Sequence, residues 1–211
     1  MRASSFSFGL LAALLAYGTT AQAGPTCAAG ATVPVQNYPG ASAIVPGNNL
    51  LLPAGKAVEA AGQKIILHGQ VLDTRCAPVQ EAVVELWQNG PTGRWLLAGR
   101  DDLASANPVF AGAGRTYTDS EGRFSFITAF PAPLEKRAPF VNIKISGKGL
   151  PTVKTALFFS DDARNATDDA YRKLGEKPRE DVTIRMRGEE DGALQGDIVL
   201  VIPGTMPFQT Y

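Results

Sequence analysis

Residues 65–88 read I-I-L-H-G-Q-V-L-D-T-R-C-A-P-V-Q-E-A-V-V-E-L-W-Q. Two runs rich in β-branched residues, Ile65–Leu72 and Ala82–Gln88, flank the turn Asp73-Thr74-Arg75-Cys76-Ala77-Pro78. The second run alternates apolar and polar side chains, the period of a strand with one buried face. Downstream the texture repeats. Asp119-Ser120-Glu121-Gly122 is a turn signal leading into Arg123–Phe130, with Phe124 and Phe126 on one face. Phe140–Ser146, Thr152–Ser160, Val182–Met186 and Asp197–Ile202 follow as further short strands. Short strands at this spacing predict an all-β fold, a β-sandwich rather than a parallel sheet with crossover helices. Trp87 and Phe126 belong to its core, and one short helix is expected over Ala166–Lys173.

Upstream the pattern fades. Residues 24–62 are rich in Gly, Pro, Ala and Asn without periodicity, and read as an extended N-terminal arm rather than a domain. The first residues have another character. Arg2 precedes the apolar run Phe8–Ala16, and Ala21-Gln22-Ala23 supplies the small-x-small pattern of a signal-peptidase site. The run is too short to span a bilayer, and Gly24-Pro25-Thr26 before Cys27 lacks a lipoprotein signature. The expected organisation is therefore a signal peptide over 1–23, the arm over 24–62 and the sandwich over 63–211. The product is expected to be exported, periplasmic or extracellular. Only two cysteines are present, Cys27 and Cys76. An isolated pair in an oxidising compartment predicts a disulfide stapling the arm to the turn at residues 73–78. Two thiols and a single histidine fall short of a closed zinc shell.

Charge excludes some partners. Lys and Arg total 20 against 20 Asp and Glu, and loss of Arg2 leaves a net charge of about −1. No basic stripe stands out, so neither nucleic acid nor, after signal cleavage, a membrane is an expected partner.

Longer motifs narrow the reading. Gly69–Asp73 reads G-Q-V-L-D, Pro78–Gln88 reads P-V-Q-E-A-V-V-E-L-W-Q, Gly93–Trp95 reads G-R-W, and Phe110–Phe126 reads F-A-G-A-G-R-T-Y-T-D-S-E-G-R-F-S-F. With Thr155–Phe159 these segments, in this order, closely resemble the intradiol ring-cleavage dioxygenases, above all the protocatechuate and hydroxyquinol types. The resemblance covers roughly half of the chain beyond residue 23 and implies the family's β-sandwich. It also implies a ferric ion held by two tyrosinates and two imidazoles, acting on catechol-type aromatic compounds. Phenolate anions stabilise the ferric state, and neutral imidazoles complete the shell.

This sequence departs from the ligand pattern. Trp95 stands where the first tyrosine would close G-R-Y. Leu134, after Pro131-Ala132-Pro133, stands near the second. Phe140 and Asn142 occupy the two histidine positions. Indole is a donor only, Leu and Phe offer no ligand atom, and Asn binds ferric iron feebly. No cofactor is therefore expected; ferric iron enters only if other residues supply its ligands. The resemblance assigns Trp95, Tyr117, Phe140 and Asn142 to a former iron site that would take an aromatic acid, with Arg137 as a substrate contact. His68, the sole histidine, falls on a scaffold strand, and Glu189-Glu190-Asp191 reads as a solvated turn. Ala138–Asn142 resembles the iron-free chain that partners the catalytic chain of protocatechuate dioxygenase, and D-x-x-C-x-P-V at Asp73–Val79 resembles the exported branch. The expectation is an exported, non-catalytic homologue: a partner subunit in a homo- or hetero-oligomer, or a binding module. The alternative is an intradiol dioxygenase with a rebuilt or absent iron site.

Overall fold

The computed structural model describes residues 26–57, 59–95 and 110–204. The signal peptide expected over residues 1–23 lies outside them. The described chain is built of β1 (Val45–Pro46), β2 (Lys64–Asp73), β3 (Val83–Trp87), β4 (Ala113–Tyr117), β5 (Arg123–Ala129), β6 (Phe140–Ser146), β7 (Val153–Phe159), β8 (Thr183–Glu190) and β9 (Ala193–Ile202). Helices α1 (Asp169–Arg172) and α2 (Glu176–Asp181) lie between β7 and β8.

The strands run in the order β1-β4-β3-β6-β7-β8-β9-β2-β5. This sheet folds over on itself at the short parallel contact of Phe158 and Phe159 with Thr183 and Ile184. One layer holds β1, β4, β3, β6 and β7; the other holds β8, β9, β2 and β5. The core between them takes Val84, Leu86, Val141, Ile143 and Ile145 from the first, and Leu67, Val71, Phe124, Phe126, Ile198 and Leu200 from the second. Alternation does the sorting. On β2, residues 65, 67, 69, 71 and 73 are buried while their neighbours are not. This is the sandwich the strand pattern predicts, with one addition. β2 and β9 pair in parallel from Ile65–Leu194 to Asp73–Ile202, joining the first long strand to the last.

The helical segment departs from expectation. In place of one helix over 166–173, a 3₁₀ turn at Ala163–Ala166 is followed by α1. The break is at Asp168, whose carboxylate caps the amides of Ala170 and Tyr171 and fixes where α1 begins.

The N-terminal arm is a structural part of the sandwich. Val33, Ile44, Leu50 and Leu51 are all buried. Val33 lies against the edge of β7, accepting the Ala156 amide at 3.0 Å and donating to Thr155 Oγ1 at 3.0 Å. Further along, Gly47 exchanges two backbone hydrogen bonds with Arg115 on β4, and Leu50 donates to Ile127 on β5 at 2.8 Å. Residues 45–50 thus tie β4, next to one end of the strand order, to β5 at the other end. Gly114 sits beneath this strap, where a Cβ would approach Gly47 O to 2.7 Å. The disulfide expected from the cysteine pair is present: Cys27 and Cys76 are bonded with a Cα–Cα distance of 5.2 Å. Among the described residues, no helix is long and apolar enough to cross a membrane.

Candidate functional site

The outer face of the first layer carries the positions that the sequence motifs single out. Phe140 opens β6 and Asn142 follows two residues on, so strand alternation puts both on the face opposite Val141 and Ile143. A tight loop after β3, closed by Gly90 N–H to Arg94 O at 2.8 Å and bridged between Asn89 and Trp95, brings Trp95 over β6. The Trp95 and Phe140 rings lie 6.0 Å apart. Leu134 arrives on the turn that ends with Arg137, whose amide donates to Leu134 O at 2.6 Å. This turn abuts the Trp95 loop, since a Cβ on Gly93 would sit 3.9 Å from Leu134 Cδ2.

The cluster is filled by hydrocarbon and aromatic surface. Phe140 is 1 % exposed, and Phe158 on β7 packs 6.2 Å from it. Tyr171 of α1 closes the far side, 5.0 Å from Phe158, with its hydroxyl bonded to Thr183 Oγ1. Asn142 is fully buried and both ends of its amide are engaged. Oδ1 accepts the Gln36 amide of the arm at 3.2 Å, and Nδ2 donates to Trp87 O at 3.3 Å.

Arg137 is the charge at this site. Its guanidinium lies 4.5 Å above the Phe140 ring centre, a cation–π contact, and 5.8 Å from Phe158. Nε donates to Asp168 Oδ2 at 2.7 Å. Asp168, fully buried, also accepts from the amides of Ala138, Ala170 and Tyr171. One carboxylate therefore neutralises Arg137, anchors the start of β6 and caps α1. The Nη2 atom of Arg137 is buried without a hydrogen-bond partner among the described residues.

Other candidates lie elsewhere. Tyr117 is not brought to this cluster. It is 62 % exposed at the far end of β4, because the register pairs Val83 with Tyr117 and Trp87 with Ala113 and Asn142. Four residues along a strand correspond to about 13 Å. His68 lies on the other layer, exposed on β2, with Nε2 3.1 Å from Gln195 Oε1. Of the expected solvated turn only Asp191 lies in the β8–β9 turn; Glu189 and Glu190 are exposed residues at the end of β8, paired with Leu194 and Ala193.

Two groups have no signature in the sequence. Asp168 is one of several acids in a polar stretch, and only burial distinguishes it. The other is a cross-strand row on the same outer face, in which Glu85 pairs in register with Arg115 and with Lys144. Glu85 is buried, taking the Lys144 ammonium at 2.7 Å and the Tyr38 hydroxyl of the arm at 3.4 Å. That carboxylate raises the Lys144 pKa above the usual lysine range.

Comparison with known proteins places this geometry. Residues 43–193 match the family model described as Dioxygenase. A Rickettsia conorii protein provisionally named a dioxygenase is 34% identical over 121 residues, 54% of this chain and 58% of that one. The chain thus spans little more than half the length of that relative. The protocatechuate 3,4-dioxygenase beta chain of Burkholderia cepacia is 30% identical over 168 residues, 74% of this chain and 72% of its own. Among solved structures, an intradiol ring-cleavage dioxygenase from Tetranychus urticae superposes with a TM-score of 0.66 at 17% identity, covering 87% of this chain and 98% of that chain. That likeness speaks for the fold, and together with the family match and the Burkholderia relative it makes this chain a member of the intradiol dioxygenase family.

Proposed function

We propose that this chain is a non-catalytic member of the intradiol dioxygenases, with its former metal site converted into packed structure. The observation that carries the reading is the donor set. Trp95, Leu134 and Phe140 present indole and hydrocarbon, and the Asn142 amide is spent on Gln36 and Trp87. These side chains do not fit a ferric ion, which needs anionic oxygen and imidazole donors. Nearby tyrosines are also committed: Tyr38 to Glu85 and Tyr171 to Thr183. Metal analysis and visible absorbance of the purified protein after dialysis against iron test this directly. Iron well below one per chain and a colourless protein are expected. One iron retained per chain, with a visible tyrosinate band, would restore the alternative of a ring-cleaving enzyme with rebuilt ligands.

On this reading the chain acts through association. Relatives from Burkholderia cepacia are named as the beta and alpha chains of one dioxygenase, which supports a role beside a related subunit. The Cys27–Cys76 bridge supports maturation in an oxidising compartment, as export would provide.

A second reading has its own observation. The buried Nη2 of Arg137, without a hydrogen-bond partner among the described residues and belonging to a guanidinium over the Phe140 ring, suits the carboxylate of a small aromatic acid. Calorimetry with a panel of hydroxybenzoates tests it. Heat that Arg137→Met abolishes, without turnover, supports a binding module; no heat for any member leaves the packed site and the partner role.

A further inference from the structure

β8 carries one residue too many against β9. Met186 pairs with Gly196 but Gly188 pairs with Gln195, leaving Arg187 unopposed. Such a bulge re-aims the side chains around it. Arg187 turns to an ion pair with Asp197. Gly188, at φ 94°, brings no side chain, and a Cβ there would meet nothing within 4 Å. Beside this gap lies a cavity of about 150 Å³, lined by Phe130, Phe159, Met186, Leu194 and the two acids Asp161 and Asp162.

The lining has a definite chemistry. Phe130 and Phe159 pack with ring centres 4.5 Å apart and planes tilted by 39°, and Met186 adds a polarisable thioether. Asp162 is committed, because Arg164 takes its two oxygens at 2.8 and 2.6 Å. Asp161 is not. Its Oδ1 accepts the Ser160 hydroxyl at 2.9 Å, and Ser160 Oγ accepts the Met186 amide of the bulged strand at 3.1 Å. The bulge thereby orients the Asp161 carboxylate. Among the described residues, no basic side chain forms an ion pair with it; the nearby Arg164 is paired to Asp162 instead.

We propose that this pocket binds an organic cation, an ammonium group on a short apolar stem. Aromatic rings and a thioether attract a partly desolvated cation, and the Asp161 carboxylate, which has no ion-pair partner among the described residues, fixes its sign. The Asp161 carboxylate repels an anion, since Asp162 is neutralised by Arg164, and a neutral apolar molecule gains only the aromatic lining. A cavity of this size holds a molecule about as large as benzene, which matches a stem of four or five carbons. A free alkylamine and the lysine side chain of a polypeptide share this chemistry.

The test uses protein labelled at the methionine methyl groups, with the Met186 signal followed by NMR. Pentylamine, 1-pentanol and an end-blocked lysine peptide are titrated separately. Pentylamine is expected to give a saturable Met186 shift with a Kd of about 1–10 mM, the range for so few ligand atoms. The alcohol is expected to bind about fivefold more weakly, and Asp161→Asn to abolish that preference, as loss of one rim ion pair would. Tighter binding of the lysine peptide supports the pocket with a protein as the source; tighter binding of the amine supports it with a small molecule. No saturable shift at Met186, or equal binding of amine and alcohol to the unmodified protein, overturns the proposal.

Discussion

Asp168→Ala removes one carboxylate and breaks four hydrogen bonds. Three go to the amides of Ala138, Ala170 and Tyr171, and the fourth goes to Arg137 at 2.7 Å, with Asp168 wholly buried and the Arg137 side chain 18 % exposed. Breaking a buried pair from one side costs about 3–5 kcal/mol, because the remaining charge is left uncompensated. Loss of the α1 cap lies within that figure rather than beside it, as the same oxygens serve both purposes. We expect about 4 kcal/mol, which for a chain of this size lowers Tm by about 12 °C. Arg137→Met keeps the stem packed on Phe140 while removing the charge, and should cost less. Urea unfolding followed by tryptophan fluorescence, with both single variants and the double variant, isolates the coupling. The double variant should be more stable than the sum of the singles by about 2 kcal/mol. A loss below about 1 kcal/mol for Asp168→Ala, or additivity within about 0.5 kcal/mol, would refute the view that this pair organises the site.

The disulfide closes a separation of 49 residues, worth about 4 kcal/mol in the chain-entropy account, so Cys27→Ser should melt well below the parent; alkylation of unreduced protein should find no free thiol. Gly114→Ala drives a Cβ into Gly47 O and should cost about 1–3 kcal/mol by chemical denaturation, whereas alanine at the open surface costs far less. Stability should also fall at both pH extremes. At Asp73 burial raises the pKa, but hydrogen bonds from the Arg75 side chain and the Ala77 and Arg75 amides outweigh it; at Asp162 the Arg164 hydrogen bond dominates, and both end below their ordinary 3.8. Their contribution is present above that value and is lost as pH falls through the lower folded values. Lys144 is raised above 10.5 by Glu85, so its contribution is complete below 10.5 and is lost as pH climbs past its folded value. Thermal melts across pH test both limbs, and Lys144→Met should remove part of the alkaline one alone.

Much of the fold was legible because apolar alternation is a local signal. The run Phe140–Ser146 is β6 to the residue, and Arg123–Phe130 overruns β5 by one. What escaped had no such signal. β4 reads A-G-R-T-Y, too small and polar to announce a strand, and is held by pairing with β3 on one side and by the arm on the other. Helix α2, E-K-P-R-E-D, contains a proline that only its first turn tolerates. The buried residues of the arm follow no period, because they answer to the surface they lie on. At the site, chemistry was readable and position was not. The motifs located Trp95, Arg137, Phe140 and Asn142, but strand register alone separates Tyr117 from them, and the role of Asp168 depends on burial.

The strap of residues 45–50 has a bearing on how another chain can attach. A strand at the margin of a sheet offers unpaired amides and carbonyls, and a foreign segment can extend the sheet there. Here Gly47 has taken that place on β4, Asn48 and Leu50 on β5, and Val33 on β7. The outer half of β8 is guarded differently, by its bulge and by Arg187, Glu189 and Glu190. At these positions of the described strands, strand addition by a partner is thus foreclosed. A companion subunit would have to recognise side chains on the broad outer faces, and its specificity would be written in residues that leave the fold untouched when they change.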